Sequence, residues 1–217
     1  MTNGSAALAR RPIAAPADRD LYGDTVVEAI LTVLDARDAA AFADARATAA
    51  WCRRLAEALH LSRARTDLVV TAGLLHDVGA IATPETILFK RGPLTDAEWI
   101  VVRRHAEAGA AILAGVPILA AYAPIVRAHH ELWDGSGYPR GLKGEQIPFE
   151  ARVVAVADAF HAMISDRPHR LAIAQRDAMT ILRDGRGTQW DATIVDAMLA
   201  LLDAPRTATG RRYVAHR

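Results

Sequence analysis

The chain has 217 residues, of which 52% are hydrophobic, and its 26 Lys and Arg residues nearly balance its 25 Asp and Glu residues. The resulting formal net charge of +1 offers no overall field for a nucleic acid polymer or an anionic membrane, so neither is expected as a partner. The single cysteine, Cys52, excludes an intrachain disulfide and a Cys-based zinc motif, which fits a cytoplasmic protein.

The length predicts one domain with a substantial core, flanked by two tails. Residues 1–20 are rich in Ala, Pro and Arg and predict a loose tail, residues 21–204 form the domain, and residues 205–217 form a basic tail. The longest apolar stretch, residues 112–126, contains two prolines and is too short to span a bilayer. The first 11 residues lack the apolar segment of a signal peptide.

Apolar residues recur at helical spacing through the domain and no strand alternation competes, so an all-α fold is predicted. Thr66 is expected to cap a helix that ends at Gly79, and Thr95 with Glu98 forms a capping box. Pro148 is expected to begin the most apolar helix. The remaining helices are expected over residues 21–36, 39–59, 95–112, 117–129, 172–183 and 191–202.

Several polar side chains lie on faces or at helix ends that should be buried. Asp158 is an acid inside the most apolar helix, and such a group should be neutralised, paired or bound to metal. Asp77 adjoins the core-facing His76, so this carboxylate should also be paired or bound to metal if it is buried. Taken singly, the histidines are also explained as hydrogen-bonded core residues or polar helix ends. The full set of candidates is His76, Asp77, His105, His129, His130 and Asp158.

Four imidazoles and two carboxylates exceed what one metal ion takes from a protein while keeping a water site. Two divalent ions bridged by a carboxylate fit this set better. Mixed imidazole and carboxylate ligation suits Fe, Mn, Zn or Ni, and spacing alone does not choose between them.

These residues lie in motifs that resemble the HD-GYP family of metal-dependent phosphohydrolases. Residues 74–79 (LLHDVG) resemble its HD segment, and residues 129–139 (HHELWDGSGYP) resemble its GYP segment. The similarity continues through residues 141–148 and 151–168, and more loosely through residues 187–191. Overall the resemblance covers roughly residues 21–202.

The resemblance implies an HD-domain helical bundle with additional helices and a metal-dependent phosphodiesterase that hydrolyses cyclic di-GMP to linear pGpG or GMP. It makes the six candidates metal ligands, with Asp77 as the bridging, catalytic carboxylate and Fe or Mn as the most expected ions. It also places Arg167 and Arg170 at family positions that hold substrate phosphate, which suits arginine because its charge is permanent and its guanidinium is forked. Tyr138 is expected to contact either phosphate or guanine of the substrate. For the two arginines, a surface pair near a proline turn is the alternative.

The chain departs from the family pattern in ways that keep other functions open. Ala80 stands where the family usually has Lys, and Asp44 stands where it commonly has its first ligand histidine. Asp44 is therefore either a further metal ligand or a solvated surface acid. His161 and His169 occupy positions that are usually Asp and Tyr, and His161 is a candidate for a supporting polar role. One alternative is a degenerate module that binds cyclic di-GMP or a protein partner without turnover. Another is a hydrolase for a different nucleotide phosphoester. Without a preceding sensor domain, regulation is expected from a homo-oligomer or a separate sensor protein.

Overall fold

The computed structural model describes residues 21–166 and 170–204. These residues form helices and no strand, which confirms the predicted all-α class. The predicted tails, residues 1–20 and 205–217, lie outside the described residues. The α-helices are α1 (Leu21–Arg37), α2 (Ala39–Ala58), α3 (Arg63–Leu75), α4 (Glu85–Leu88), α5 (Asp96–Arg103), α6 (His105–Ala114), α7 (Ala123–Ala128), α8 (Phe149–Ile164), α9 (Gln175–Asp184) and α10 (Ala192–Asp203).

Helix α8 is the centre of the bundle and packs against α2, α3, α7, α9 and α10. Val153, Val154, Val156 and Phe160 are all fully buried, and they fill the space between these neighbours. Because α8 is covered on several sides, its sequence is apolar almost all round rather than on one stripe. As predicted, Pro148 stands immediately before this helix.

Of the two helix caps predicted from the sequence, the one at Thr95 is confirmed and the one at Thr66 is wrong. Thr95 accepts a hydrogen bond from the Glu98 backbone N–H and the Glu98 carboxylate accepts one from Thr95 N–H, which confirms the capping box of α5. Thr66 is not a cap, because α3 already begins at Arg63 and Ser62 accepts from the Arg65 N–H. Thr66 lies inside the helix and is buried there.

The structure also divides helices that the sequence pattern joins. Helix α3 ends at Leu75, and a 3-10 helix (Val78–Ala82) contains Gly79, so Gly79 does not end α3. The helix predicted from residue 95 to 112 breaks at Arg104, whose N–H bonds to the Val101 carbonyl. Residues 117–129 form a 3-10 helix (Pro117–Tyr122) followed by the short α7. His76, His105 and His129 lie directly beyond or close to the helix ends at Leu75, Arg103 and Ala128.

No helix of the described ranges 21–166 and 170–204 has the length and apolarity needed to cross a membrane.

Candidate metal centre

Asp77 lies at the meeting point of three histidines that come from different helix ends. Its Oδ2 atom is 3.2 Å from His76 Nε2, and its Oδ1 atom is 3.3 Å from His105 Nε2 and 3.8 Å from His129 Nε2. His76 follows the end of α3, His105 follows the break after α5, and His129 follows the end of α7. The two oxygens of one carboxylate therefore face different imidazoles.

A shared backbone device fixes the rings of these three histidines. Each Nδ1 lies within hydrogen-bond distance of the carbonyl oxygen three residues earlier, at 2.8 Å for His76, 2.7 Å for His105 and 2.6 Å for His129. Those carbonyls lie in the last turn of a helix, where carbonyl groups lack the full set of backbone partners found in the helix interior. A carbonyl can only accept, so Nδ1 carries a proton in each ring. Where the ring is neutral, Nε2 is left as an acceptor, whereas Nε2 of His76 faces the Asp77 carboxylate and donates to it when that ring is protonated.

This orientation makes the centre a site for a cation. The Nε2 atoms of His105 and His129 are only 3.4 Å apart, and in the neutral rings both present lone pairs. Two facing lone pairs repel unless a positive charge lies between them. Nitrogen and oxygen ligands lie about 2.0–2.2 Å from a transition metal, so neighbouring ligand atoms are roughly 3.0–3.5 Å apart around it. The 3.4 Å between His105 and His129 and the 3.3 Å between His105 and Asp77 match that spacing, while the 3.8 Å between His129 and Asp77 is slightly longer.

The ligand atoms of Asp77, His105, His129 and His130 all lie within 4.8 Å of one another. His130 follows His129 directly, and the two rings are 4.0 Å apart between centroids. One carboxylate with three imidazoles is a donor set that suits Fe, Mn, Zn or Ni. The residues thus fit a divalent metal ion by both spacing and chemistry.

Asp158 extends the centre towards α8. Its Oδ1 atom is 3.7 Å from His76 Nε2, so His76 lies between Asp158 and Asp77. The structure therefore brings all six predicted ligands into one continuous cluster. We call the two ends of this cluster its poles. The Asp77 pole contains Asp77, His105, His129 and His130, and the Asp158 pole contains Asp158 and His76. Their role as ligands stays a prediction.

The charges in the cluster support neutral imidazoles on one side and an ionised carboxylate in the middle. Burial lowers the pKa of His129 well below its usual value and lowers the pKa of His130 to about 3. Loss of hydration acts to raise the pKa of Asp77, but the neighbouring imidazoles outweigh it and hold that pKa well below its usual range. Burial likewise opposes protonation of His76, yet Asp77 and Asp158 raise its pKa to about 10. The two carboxylates attract positive charge to the centre.

Asp44 lies outside the group of four formed by Asp77, His105, His129 and His130. On α2, its Oδ1 atom is 3.0 Å from His161 Nε2, and His161 lies on α8 three residues after Asp158. Residues three apart share a helix face, so this pair is next to the Asp158 pole. Asp44 is thus paired across a helix interface, and its metal role stays a prediction.

The glycine-rich loop from Glu131 to Leu142 lies beside His130 at the edge of the candidate metal centre. Tyr138 packs its ring 4.8 Å from the His130 ring at an angle of 31°, and its N–H donates to the His130 carbonyl at 3.2 Å. Burial raises the pKa of Tyr138, and the Asp77 charge acts in the same direction. The phenol is therefore protonated at neutral pH and able to donate a hydrogen bond to a bound anion.

Of the two predicted phosphate-binding arginines, Arg167 lies outside the described residues. Arg170 is exposed, and its guanidinium donates to the Ala162 carbonyl near the end of α8. Its contact with substrate stays a prediction. Ala80, where the family usually has Lys, lines a largely apolar cavity with Leu74, Phe42 and Asp77. That side of Asp77 therefore carries no cation at residue 80.

Sequence reasoning missed Glu131, the residue that organises the loop. Glu131 is 3% exposed, and its carboxylate accepts from the backbone N–H groups of Arg140 at 2.7 Å and Leu142 at 2.9 Å. It thereby ties the far end of the loop to the residue after His130. The available signal was an acid adjoining two adjacent histidines, but only the folded loop reveals its partners.

Glu131→Gln is expected to loosen this loop while leaving the metal ligands in place. A glutamine offers one oxygen acceptor, so its amide would face one of the two buried N–H donors, a mismatch worth about 1–3 kcal/mol of stability. Denaturant unfolding measures that loss, and metal analysis measures the ligands. Glu145→Gln, at an exposed acid in the short 3-10 helix (Gly144–Gln146) that follows the loop, is the matched control. Equal unfolding midpoints for the two variants would contradict the role of Glu131.

Comparison with known proteins agrees with this geometry. A family model described as HD domain matches residues 28–194. A cyclic di-GMP phosphodiesterase response regulator, RpfG of Xanthomonas campestris, is 44% identical over 147 residues, which cover 67% of this chain and 39% of that protein. The 3'3'-cGAMP-specific phosphodiesterase 2 of Vibrio cholerae is 33% identical over 172 residues, covering 78% of this chain and 33% of that protein. The chain thus spans between a third and two fifths of the length of these relatives.

The fold is also found among solved structures. An HDG"Y"P protein from Bdellovibrio bacteriovorus superposes with a TM-score of 0.61 at 18% identity, covering 74% of this chain and 52% of that chain. At this identity the likeness concerns the helical architecture.

Proposed function

Because the chain belongs to the HD domain family, and within it to the HD-GYP group, we propose that it is a metal-dependent phosphodiesterase that hydrolyses cyclic di-GMP to pGpG or GMP. The observation that carries this proposal is the pair of Nε2 atoms, on His105 and His129, that face each other at 3.4 Å beside Asp77. When bound there, divalent ions supply Lewis acidity and a hydroxide nucleophile at neutral pH.

The cofactor is proposed to be two divalent ions, Fe or Mn in preference to Zn or Ni. Asp77 would bridge them, because its two oxygens face different histidines. His105, His129 and His130 would hold one ion, and His76 and Asp158 would hold the other. Because Nδ1 of His76, His105 and His129 is occupied by a helix-end carbonyl, these rings keep their Nε2 atoms aimed inward without reorganisation.

The protein residues around the centre would position the substrate. The Tyr138 hydroxyl, protonated and close to the charge of Asp77, would donate to a phosphate oxygen. Arg167 and Arg170 would add forked cations for phosphate. The packed loop between Glu131 and Leu142 would keep Tyr138 at the edge of the centre and limit access of water.

Turnover by the purified chain tests this proposal. Protein loaded with Fe(II) under anaerobic conditions, or with Mn(II), is incubated with cyclic di-GMP, and pGpG and GMP are separated by chromatography. Metal content is measured on the same samples. Product formation that depends on the metal supports the proposal, while no product from protein with metal bound contradicts it.

A second candidate is hydrolysis of a different cyclic dinucleotide. Ala80 leaves an apolar cavity beside Asp77 where the family usually has Lys, so contacts with the substrate phosphate differ on that side. A relative that is 33% identical carries the name of a 3'3'-cGAMP-specific phosphodiesterase. Parallel assays with cyclic di-GMP, 3'3'-cGAMP and cyclic di-AMP separate these substrates by kcat/KM. A third possibility, a binding module, predicts tight nucleotide binding with no product from any of them.

The partner proposed for the site is a cyclic dinucleotide, and regulation is proposed to come from a homo-oligomer or a separate sensor protein. We place its action in the cytoplasm. The only cysteine, Cys52, is buried and free, which suits that reducing compartment.

Asp44 is proposed to ligate the ion on the Asp158 side, with His161 fixing its orientation. His161 differs from His76, His105 and His129 because the Ser165 hydroxyl, rather than a helix-end carbonyl, lies beside its ring, 3.2 Å from Nδ1 and 3.3 Å from Nε2. That hydroxyl can donate to Nδ1, which leaves the Nε2–H to donate to Asp44. Asp44 would then contribute a carboxylate oxygen to the ion.

Asp44→Asn is therefore expected to lower bound metal by about one ion per chain, because a neutral amide oxygen is a weaker ligand. The amide can still accept from His161, so the contact between α2 and α8 survives. Asp196→Asn is the control, since Asp196 pairs with Arg186 on the exposed surface. Asp44→His, which restores the residue typical of the family, should keep the ion. Equal metal content in the two asparagine variants would show that Asp44 is not a ligand.

A further inference from the structure

Arg103, the last residue of α5, reaches the mouth of the metal centre through Tyr138. Its guanidinium carbon lies 5.3 Å from the centre of the Tyr138 ring, a distance typical of a cation resting on an aromatic face. Tyr138 in turn packs against His130 at 4.8 Å between ring centres. A cation, a phenol and a candidate metal ligand are therefore stacked from the surface inward.

The Arg103 guanidinium has its hydrogen-bond donors available for a ligand. Within residues 21–166 and 170–204, no hydrogen bond or ion pair holds its side chain. Some other surface arginines are paired with acids, such as Arg186 with Asp196 at 2.6 Å and Arg127 with Glu107 at 3.2 Å. Arg103 is thus exposed, anchored by its stacking, and unneutralised beside a site proposed to bind an anion.

We propose that Arg103 binds the phosphate of the cyclic dinucleotide that is not being cleaved. This inference rests on the proposed function. A cyclic dinucleotide carries two phosphodiesters, and while one occupies the metal centre the other keeps its full negative charge. The forked guanidinium matches two phosphate oxygens at once. Stacking on Tyr138 restricts the side chain beforehand, so less rotamer freedom is lost on binding.

The position of Arg103 also bears on residue 80, where this chain has Ala and the family usually has Lys. Ala80 lies in a largely apolar cavity on one side of Asp77, and the cation that lines this cavity, Arg37, already donates to the Ile81 and Thr83 carbonyls. A further positive group near the centre, with donors that are not used in this way, would suit a dinucleotide with two negative charges. Arg103 supplies one within the stack that ends at His130. Arg103 is in this sense a specificity residue that favours substrates with a second phosphate.

The test compares Arg103→Ala with Arg104→Ala in the full chain loaded with Mn(II). Arg104 is the next residue, is also exposed, and forms a matched control outside the stack. Removing Arg103 is expected to raise KM for cyclic di-GMP roughly 10- to 100-fold, the range for a lost charge-assisted hydrogen bond. Arg103→Lys keeps the charge but not the fork, so it should lie between the alanine variant and the wild type.

A substrate with one phosphate separates binding of the second phosphate from general damage. With bis(p-nitrophenyl) phosphate, the loss in kcat/KM for Arg103→Ala should be at least about tenfold smaller than with cyclic di-GMP. Equal losses on both substrates, or equal KM values for the two alanine variants, overturn the assignment. If the wild type turns over neither cyclic di-GMP nor any other cyclic dinucleotide, the proposed function fails instead. The two failures are therefore distinguishable.

Discussion

Asp77→Asn is expected to abolish hydrolysis, with kcat falling by roughly a thousandfold or more. We expect this loss because the two oxygens of Asp77 face His76 on one side and His105 with His129 on the other. An asparagine replaces one oxygen with an amide group. That group would direct N–H donors at an imidazole or a metal ion and would remove the negative charge between the two poles.

Metal binding provides a readout that does not depend on turnover. Bound Mn or Fe should raise the melting temperature of the wild type, because a ligand that binds only the folded state stabilises it. The melting temperature of Asp77→Asn should not respond to metal. Dipicolinate treatment should remove the ions from the wild type, and added Mn(II) should restore its activity but not that of the variant.

Asp67→Asn is a suitable control because Asp67 is a partly exposed acid in the first half of α3, near the surface Arg63. It should bind metal and turn over substrate like the wild type. The bridging role of Asp77 would be refuted by a variant that keeps the full metal content and a kcat within about twofold of the control.

Much of the candidate centre was predictable because its residues conflict with the local pattern. Asp158 in the most apolar helix, and His76 and His105 on apolar faces, are costly to bury without a partner. Their spatial convergence followed from the resemblance, which supplied the three-dimensional arrangement that spacing lacks. The helix-end carbonyls that orient the rings were not predictable, because the helix breaks at Leu75 and Arg104 do not interrupt the apolar periodicity.

Residues whose role arises in the folded loop were harder to find. Glu131 stands beside the histidines in the sequence, but its partners are backbone N–H groups nine and eleven residues away. Arg103 reads as an ordinary exposed arginine at a helix end until the loop places Tyr138 beneath it. The cap at Ser62 was missed for a different reason: Thr66, four residues later, carries an equally good capping side chain.

The Asp44–His161 pair shows how a departure from a family pattern can keep the chemistry of a site. The resemblance places His at residue 44 and Asp at residue 161, and this chain has the reverse. The structure brings these two side chains to 3.0 Å across the α2–α8 interface. The interface therefore keeps one imidazole and one carboxylate, with their helices exchanged, beside the Asp158 pole.

Gly79→Ala is expected to destabilise the fold by about 3 kcal/mol or more, at the upper end of the cost of overpacking. A Cβ atom on Gly79 would lie 1.9 Å from the His105 carbonyl oxygen and 2.3 Å from the Gly109 N atom. Both are backbone atoms of α6, so no side chain can rotate to make room. The 3-10 helix (Val78–Ala82) and α6 would have to separate.

That separation links the stability of the fold to the metal centre, because Asp77 immediately precedes the 3-10 helix and His105 begins α6. Any Gly79→Ala protein that still folds should bind metal weakly, since the 3.3 Å approach between Asp77 and His105 would lengthen. Denaturant unfolding and metal analysis measure the two effects. Gly92→Ala is the matched control, as an added Cβ there meets nothing within 4 Å and should change stability by less than about 1 kcal/mol. Equal unfolding midpoints and equal metal content in the two alanine variants would contradict this prediction. The close backbone contact at Gly79 would then not be needed to hold Asp77 near His105.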